Sequence, residues 1–171
     1  MIDGGEGTDT LNITTTADNT DVTDGALISN IEIVNIRSAT AATTATLNAS
    51  NIAGVTQVNA NAGAGAVTVT NLPSGASIGV VGNGTVLNGT TTYGYATASN
   101  AQVINISGGT TGGAITSSNG TATSVTINST GANNVIGTID PVTGTQVTSL
   151  TINAATGLEA TLNAAYAATS D

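Results

Sequence analysis

The stretch Val125-Thr126-Ile127-Asn128 carries the pattern that decides the fold of this chain. Aliphatic residues alternate with Thr or Asn, and a turn rich in Gly, Asn or Ser follows. The pattern recurs at Thr10-Leu11-Asn12-Ile13, Ile33-Val34-Asn35-Ile36, Val103-Ile104-Asn105-Ile106 and Leu150-Thr151-Ile152-Asn153. Alternation with a period of two residues is the signature of a β-strand. The pattern therefore predicts an all-β chain.

The asparagine near the end of each run measures the spacing of the strands. These asparagines stand at positions 12, 35, 48, 59, 71, 88, 105, 128, 153 and 163, so that several steps fall near 23–25 residues or near half that value. Repeats of this size, each with two or three short strands, are typical of β-solenoid coils. We therefore expect a parallel β-solenoid, or β-roll-like repeat, of roughly seven or eight coils.

A β-sandwich is the alternative all-β architecture. Its core is about 10 Å thick and is usually filled with aromatic side chains. This chain has three Tyr and no Phe or Trp, and its 37 Ile, Val and Leu residues suit a narrow interior. We expect Tyr93 and Tyr95 to serve in packing or in a contact between subunits. The small-residue bias favours the solenoid.

Two stretches offer the best helical patterns, residues 96–101 and residues 158–168. In the second, Leu158, Leu162 and Tyr166 follow one another at intervals of four residues. A parallel strand through Thr161-Leu162-Asn163 is the favoured interpretation, because β-branched residues and Gly dominate the chain and disfavour helices.

The composition of the 171 residues excludes several classes of function. The chain has one Arg, no Lys, His or Cys, and ten carboxylates, for a formal net charge of -9. It therefore cannot build a Ser-His-Asp triad, a thiol nucleophile, a Schiff base or the usual zinc site. A single cation also cannot neutralise nucleic acid or an anionic membrane surface. No apolar run is long enough for membrane insertion, and no charged residue occurs at positions 38–139. We expect no enzyme.

The carboxylates are concentrated at one end of the chain. Seven of the ten lie in the first 32 residues, around the nonapeptide GGEGTDTLN at residues 4–12. This nonapeptide fits the calcium-binding pattern G-G-x-G-x-D-x-U-x of parallel β-rolls. Its glycines permit tight turns that aim carbonyl oxygens at a cation, while Asp9 supplies a hard anionic oxygen. Leu11 should point into the core and anchor the strand.

With that motif, and with the run from Ile28 to Ile36, the chain resembles bacterial RTX-related S-layer and extracellular surface proteins. The motif-level resemblance covers about the first 36 residues, and beyond them it is one of composition. It implies type I secretion to the bacterial cell surface, calcium-dependent folding outside the cell and self-assembly. We accordingly divide the chain into an RTX-like acidic segment, residues 1–36, and β-solenoid repeats, residues 37–171, which form one continuous unit.

The candidate Ca²⁺ ligands are Asp3, Gly5, Glu6, Gly7, Asp9, Asp18, Asp21 and Asp24. β-Rolls bind calcium between successive nonapeptides, and this chain has only one. A complete site must therefore borrow ligands from another loop, a preceding segment or a neighbouring subunit. For Asp18, Asp21 and Asp24 a solvated acidic turn is the alternative, because their spacing does not match the ligand spacing of an EF-hand loop.

The expected function is that of a structural, self-assembling extracellular protein, an S-layer or filament subunit stabilised by Ca²⁺, whose partners are copies of itself. The alternative is a carbohydrate- or surface-binding module of a large secreted adhesin, with a cell-surface polysaccharide as its partner. Met1 is followed by Ile-Asp-Gly-Gly and no signal segment. Either export uses a signal elsewhere or the chain is part of a longer polypeptide that begins within a motif, and we favour the second.

Overall fold

The described part of the chain, residues 1–143 and 147–163 of a computed structural model, is all-β, with short strands joined by turns and loops. Its one helical element is a 3-10 turn at Ala49–Asn51. The strands are β1 (Ile2–Asp3), β2 (Thr10–Thr15), β3 (Ile28–Ser29), β4 (Ile33–Ser38), β5 (Thr44–Asn48), β6 (Gln57–Asn61), β7 (Ala66–Leu72), β8 (Ser77–Val81), β9 (Thr91–Tyr95), β10 (Ala101–Ser107), β11 (Ala114–Ser117), β12 (Ser124–Thr130), β13 (Asn134–Asp140), β14 (Ser149–Ala154) and β15 (Leu158–Leu162).

Thirteen of the strands stack into two long parallel sheets, and β1 and β3 form a separate parallel pair. The seven-stranded sheet has the order β14-β12-β10-β8-β6-β4-β2, and the six-stranded sheet has the order β15-β13-β11-β9-β7-β5. The seven-stranded sheet gains one strand every 20 to 25 residues, with strands starting at positions 10, 33, 57, 77, 101, 124 and 149. The predicted parallel β-solenoid is therefore confirmed, with about seven turns. The parallel pairing rules out the antiparallel β-sandwich.

Aliphatic side chains form continuous columns between the two sheets. In the seven-stranded sheet one inward column consists of Leu11, Val34, Val58, Ile78, Ile104, Ile127 and Ile152. Its five inner members are fully buried. Because side chains alternate between the faces of a strand, the residues between these columns point outward. The period of two that was read from the sequence is therefore the alternation of core and surface, and Leu11 packs against the core as expected.

Tyr93 and Tyr95 lie inside the solenoid, which confirms the packing role. Tyr93 is fully buried in a column between Val69 and Ser117. Its hydroxyl donates to Oε1 of Gln102 at 2.7 Å, and the Tyr95 hydroxyl donates to the carbonyl oxygen of Ala76 at 2.9 Å. The two rings meet edge to face, with centroids 5.9 Å apart.

The two helical patterns are not helices where the structure describes them. Residues 96–100 form bends and β10 begins at Ala101, while β15 occupies Leu158–Leu162 as the favoured strand interpretation predicted. The remainder of the second pattern, residues 164–168, lies outside the described residues. Within residues 1–143 and 147–163 no helix is long and apolar enough to cross a membrane. The expected division between residues 36 and 37 falls inside β4.

Candidate functional site

The glycine-rich loop before β2 contains two glycines with left-handed backbone geometry. Gly5 and Gly7 have φ angles of 90° and 113°, a region that residues with a side chain rarely adopt. Oδ1 of Asp3 accepts hydrogen bonds from the backbone N–H of Gly5 and from Nδ2 of Asn30. The loop therefore folds as a tight turn tied to the next coil.

Asp9 holds the one carboxylate oxygen of this loop that is buried without a hydrogen-bond partner, its Oδ2 atom. The backbone N–H of Asp9 donates to Oε2 of Glu32 at 2.8 Å. Across the described ranges no three acidic residues lie close enough together to hold a metal ion. The loop therefore offers one unused ligand oxygen and suitable turns, while the rest of a calcium site would have to come from outside these residues.

The acidic segment 18–24 lies along β5, the edge strand of the six-stranded sheet. Its backbone pairs with that edge only in part, through Asn19 N–H to Thr44 O and Val22 N–H to Thr46 O. Side-chain oxygens satisfy the intervening donors of β5. Oδ1 of Asp18 accepts from Thr44 N–H at 2.7 Å, and Oδ1 of Asn19 accepts from Thr46 N–H at 2.9 Å.

Segment 18–24 caps the edge strand β5, and within this cap Asp21 makes the most hydrogen bonds. Its Oδ1 accepts from the backbone N–H groups of Asn48 and Thr23 and from the Thr23 hydroxyl, and its Oδ2 accepts from Nδ2 of Asn51 at 2.8 Å. Unpaired edge donors invite aggregation, so segment 18–24 protects one edge of the array. Asp18 and Asp21 are thus bound to backbone amides, while Asp24 is exposed.

The outward face of the seven-stranded sheet carries a ladder of asparagine side chains, which we call the asparagine ladder. It consists of Asn12, Asn35, Asn59, Asn105, Asn128 and Asn153. At each of its four rungs, Nδ2 of the later coil donates to Oδ1 of the earlier coil, over 2.8 to 2.9 Å. The ladder lies within the strands and not at the turns between coils.

The ladder is interrupted once, at Gly79, which occupies the register position between Asn59 and Asn105. A Cβ atom at position 79 would collide with Oδ1 of Asn59. That oxygen instead accepts from Nε2 of Gln57 at 2.7 Å. Asn59 therefore bends over the glycine and is 6% exposed, although it lies on the outward face.

The two end strands of the seven-stranded sheet, β2 and β14, each have a neighbour on one side only. On β14, Ile152 of the inward column is 47% exposed, and Leu150 is 37% exposed. All hydrogen bonds of the asparagine ladder run in the same direction, so its two ends differ. Among the described residues, Nδ2 of Asn12 has no acceptor at one end and Oδ1 of Asn153 has no donor at the other.

A polar hollow of about 340 Å³ lies on the outward face near the ends of β2, β4 and β6. We call it the Arg37 hollow; it is lined by Asn12, Ile13, Thr14, Asn35, Arg37, Asn61, Ala62 and Asn83. The lining includes Arg37, the only Arg of the chain, whose Nε donates to the carbonyl oxygen of Ala62. Sequence reasoning missed this site, because the lining comes from four coils and contains no recognisable motif.

Comparison with protein families, curated proteins and solved structures finds no match to this chain.

Proposed function

We propose that this chain is a structural protein that assembles with copies of itself by stacking end to end. In this arrangement β2 of one copy pairs in parallel with β14 of the next, so that the seven-stranded sheet continues across the junction. Strand addition to an open edge satisfies the backbone groups that the edge leaves unpaired. A contact between two different surfaces produces a filament when its symmetry does not close into a ring.

The observation that carries this proposal is the complementarity of the two ends. One end presents the Asn12 amide group and the other presents the Asn153 carbonyl oxygen. In the register of the existing strand pairs, these residues would form one more rung of the ladder. The same register would place Leu11 against Ile152 and extend the inward column. Burying these side chains supplies a hydrophobic contribution of about 25 cal/mol per Å².

Calcium binding at this junction is part of the proposal. Stacking would bring the acidic segment 18–24 of one copy to the end of another copy that carries the exposed Glu159. Like charges brought together in this way repel, and a divalent cation that they share offsets the repulsion. Asp9, with its buried and unpartnered oxygen, is the residue of the glycine loop best suited to contribute a ligand. Bound calcium would stabilise the folded and assembled state by mass action.

The location that fits this role is the outside of a bacterial cell. The chain has no Cys, almost no basic residues and a calcium-type nonapeptide, a combination that supports the resemblance to RTX-related surface proteins. The same composition supports a structural role and no catalytic one. Type I secretion and an S-layer or filament are part of this proposal.

Particle size measured by sedimentation and electron microscopy tests the stacking. We expect filaments or higher oligomers in calcium. Ile152→Lys should block them, because it places a charge in the continued inward column. Leu87→Lys is the matched control, because Leu87 is 69% exposed in the middle of the array. This variant should assemble normally.

Different outcomes would contradict the stacking and the role of calcium. A protein that stays monomeric in calcium, or an Ile152→Lys variant that assembles like the unchanged chain, would contradict stacking. Assembly that persists unchanged in a chelator would remove calcium from the mechanism and leave stacking intact.

A further inference from the structure

We infer that the Arg37 hollow binds a sugar residue that carries a single carboxylate, such as one uronic acid unit in an otherwise neutral glycan. The hollow adjoins the stacking end, because Asn12, Ile13 and Thr14 of β2 line part of it, but its charged donor, Arg37, stands on the next strand, β4. The hollow has the size of a small ligand site, since such sites begin at about 300 Å³.

Arg37 supplies an uncommitted positive charge. Across residues 1–143 and 147–163 no carboxylate forms an ion pair with it. Asp18 binds the backbone N–H of Thr44 instead. Glu32 lies five residues earlier, at the start of the same run, about 16 Å away along an extended chain. That distance exceeds the Debye length of about 8 Å in physiological salt, so the charge of Glu32 is largely screened.

The backbone fixes the orientation of the guanidinium group. Nε of Arg37 donates to the carbonyl oxygen of Ala62 at 3.2 Å, and Ala62 has the unusual φ angle of 41°. The backbone N–H of Ala62 in turn donates to Val81 O at 2.7 Å, which ties this turn to the next coil. The Nη groups remain available, and their planar arrangement suits two parallel hydrogen bonds to a carboxylate.

The amides around Arg37 add donors of the kind that sugar hydroxyl groups accept. The Asn61 side chain has no hydrogen-bond partner among the described residues. Oδ1 of Asn83 is occupied by the N–H groups of Thr85 and Val86, so that its Nδ2 group is left to donate. Donors on a rigid sheet recognise a ligand that is rich in acceptor oxygens and carries a negative charge.

Galacturonate and its methyl ester are matched probes, because esterification removes the single charge and retains the sugar ring. Binding is measured by isothermal titration and by NMR shifts of the Asn side-chain amides, in a chelator so that calcium cannot bridge the carboxylates. We expect the unchanged protein to bind the acid at least about tenfold more tightly than the ester. Arg37→Gln should abolish that preference, and Asn61→Ala should weaken binding of both probes.

Arg37→Lys separates charge from geometry. A lysine retains the charge but lacks the planar pair of donors, so we expect it to preserve only part of the preference. Far-UV circular dichroism confirms that each variant is folded. Equal binding of acid and ester by the unchanged protein, or an undiminished preference in Arg37→Gln, would overturn the inference. Neither result would bear on stacking, which is measured without sugar.

Discussion

Nδ2 of Asn59 donates to Oδ1 of Asn35 at 2.8 Å, although the two residues are 24 positions apart in the chain. This bond joins equivalent positions of neighbouring coils. The same bond occurs at three further rungs, on both sides of the gap at Gly79, and always with the same direction along the seven-stranded sheet. The direction of the side-chain bonds is what makes the two ends of the array complementary.

Asn35 is a central rung, because it donates to Asn12 and accepts from Asn59. Asn35→Ala removes both hydrogen bonds, so we expect the free energy of unfolding to fall by about 2 kcal/mol. Asn61→Ala is the control on the neighbouring strand and should change it by less than about 0.5 kcal/mol. Urea unfolding measures both. Equal effects would show that the ladder adds no stability.

Position 79 must be glycine because the Asn59 side chain occupies the space of a Cβ atom, and not because its backbone angles need glycine. Gly79→Ala places a Cβ against Oδ1 of Asn59, and we expect a loss of about 1–3 kcal/mol in unfolding free energy. In the double variant with Asn59→Ala, the side-chain oxygen that would clash with the new Cβ atom is absent. The two substitutions together should therefore cost less than the sum of their separate effects, in a double-mutant cycle. Strict additivity would refute this explanation.

Asp21 holds the cap on β5 through both carboxylate oxygens. Asp21→Ala leaves the Asn48 N–H and the Asn51 amide without these acceptors, and we expect a loss of about 3 kcal/mol in unfolding free energy. Asp21→Asn retains one acceptor oxygen and should lose about half as much. Thermal and urea unfolding measure the two variants. If both variants match the unchanged chain, the cap is dispensable.

Burial raises the pKa of Tyr95 from 10.0 to about 12. Between these two pH values the unfolded chain releases this proton while the folded chain retains it. Unfolding free energy should therefore fall as the pH rises through this window, by about 2–3 kcal/mol in total for this residue. Tyr95→Phe removes this contribution, so its unfolding free energy should depend less steeply on pH above 10. Identical slopes for the two proteins would contradict the assignment.

The coils could be predicted from the sequence, but the side-chain contacts between coils could not. Alternation around Ile127 and the spacing of asparagines predicted strands and solenoid, because period two and the coil length are properties of the chain itself. The bending of Asn59 over Gly79 depends on register. The cap formed by Asp18 and Asp21 depends on which edge the segment meets. The residues that contact Asn59, Asp18 and Asp21 could not be identified before the register of the strands was known.

The Arg37 hollow also could not be predicted from the sequence. Arg37 attracted attention only as the chain's lone Arg, since the residues that shape its surroundings stand on other coils. The acidic residues of the first loops, in contrast, were recognised from a local motif. Local motifs are visible in a sequence, whereas surfaces assembled across coils become visible only when the register is known.

The most direct measurement of the central claim, head-to-tail stacking, is oxidative cross-linking between copies. The chain has no Cys, so Asn12→Cys and Asn153→Cys variants each carry a single thiol. Neighbouring parallel strands bring paired residues within the range that a disulfide spans. A mixture of the two variants should yield the mixed disulfide dimer far more readily than either variant alone. A mixture of Asn12→Cys with Thr151→Cys, which is out of register, should yield little. Equal cross-linking in all mixtures, or none in the first, would contradict the stacking.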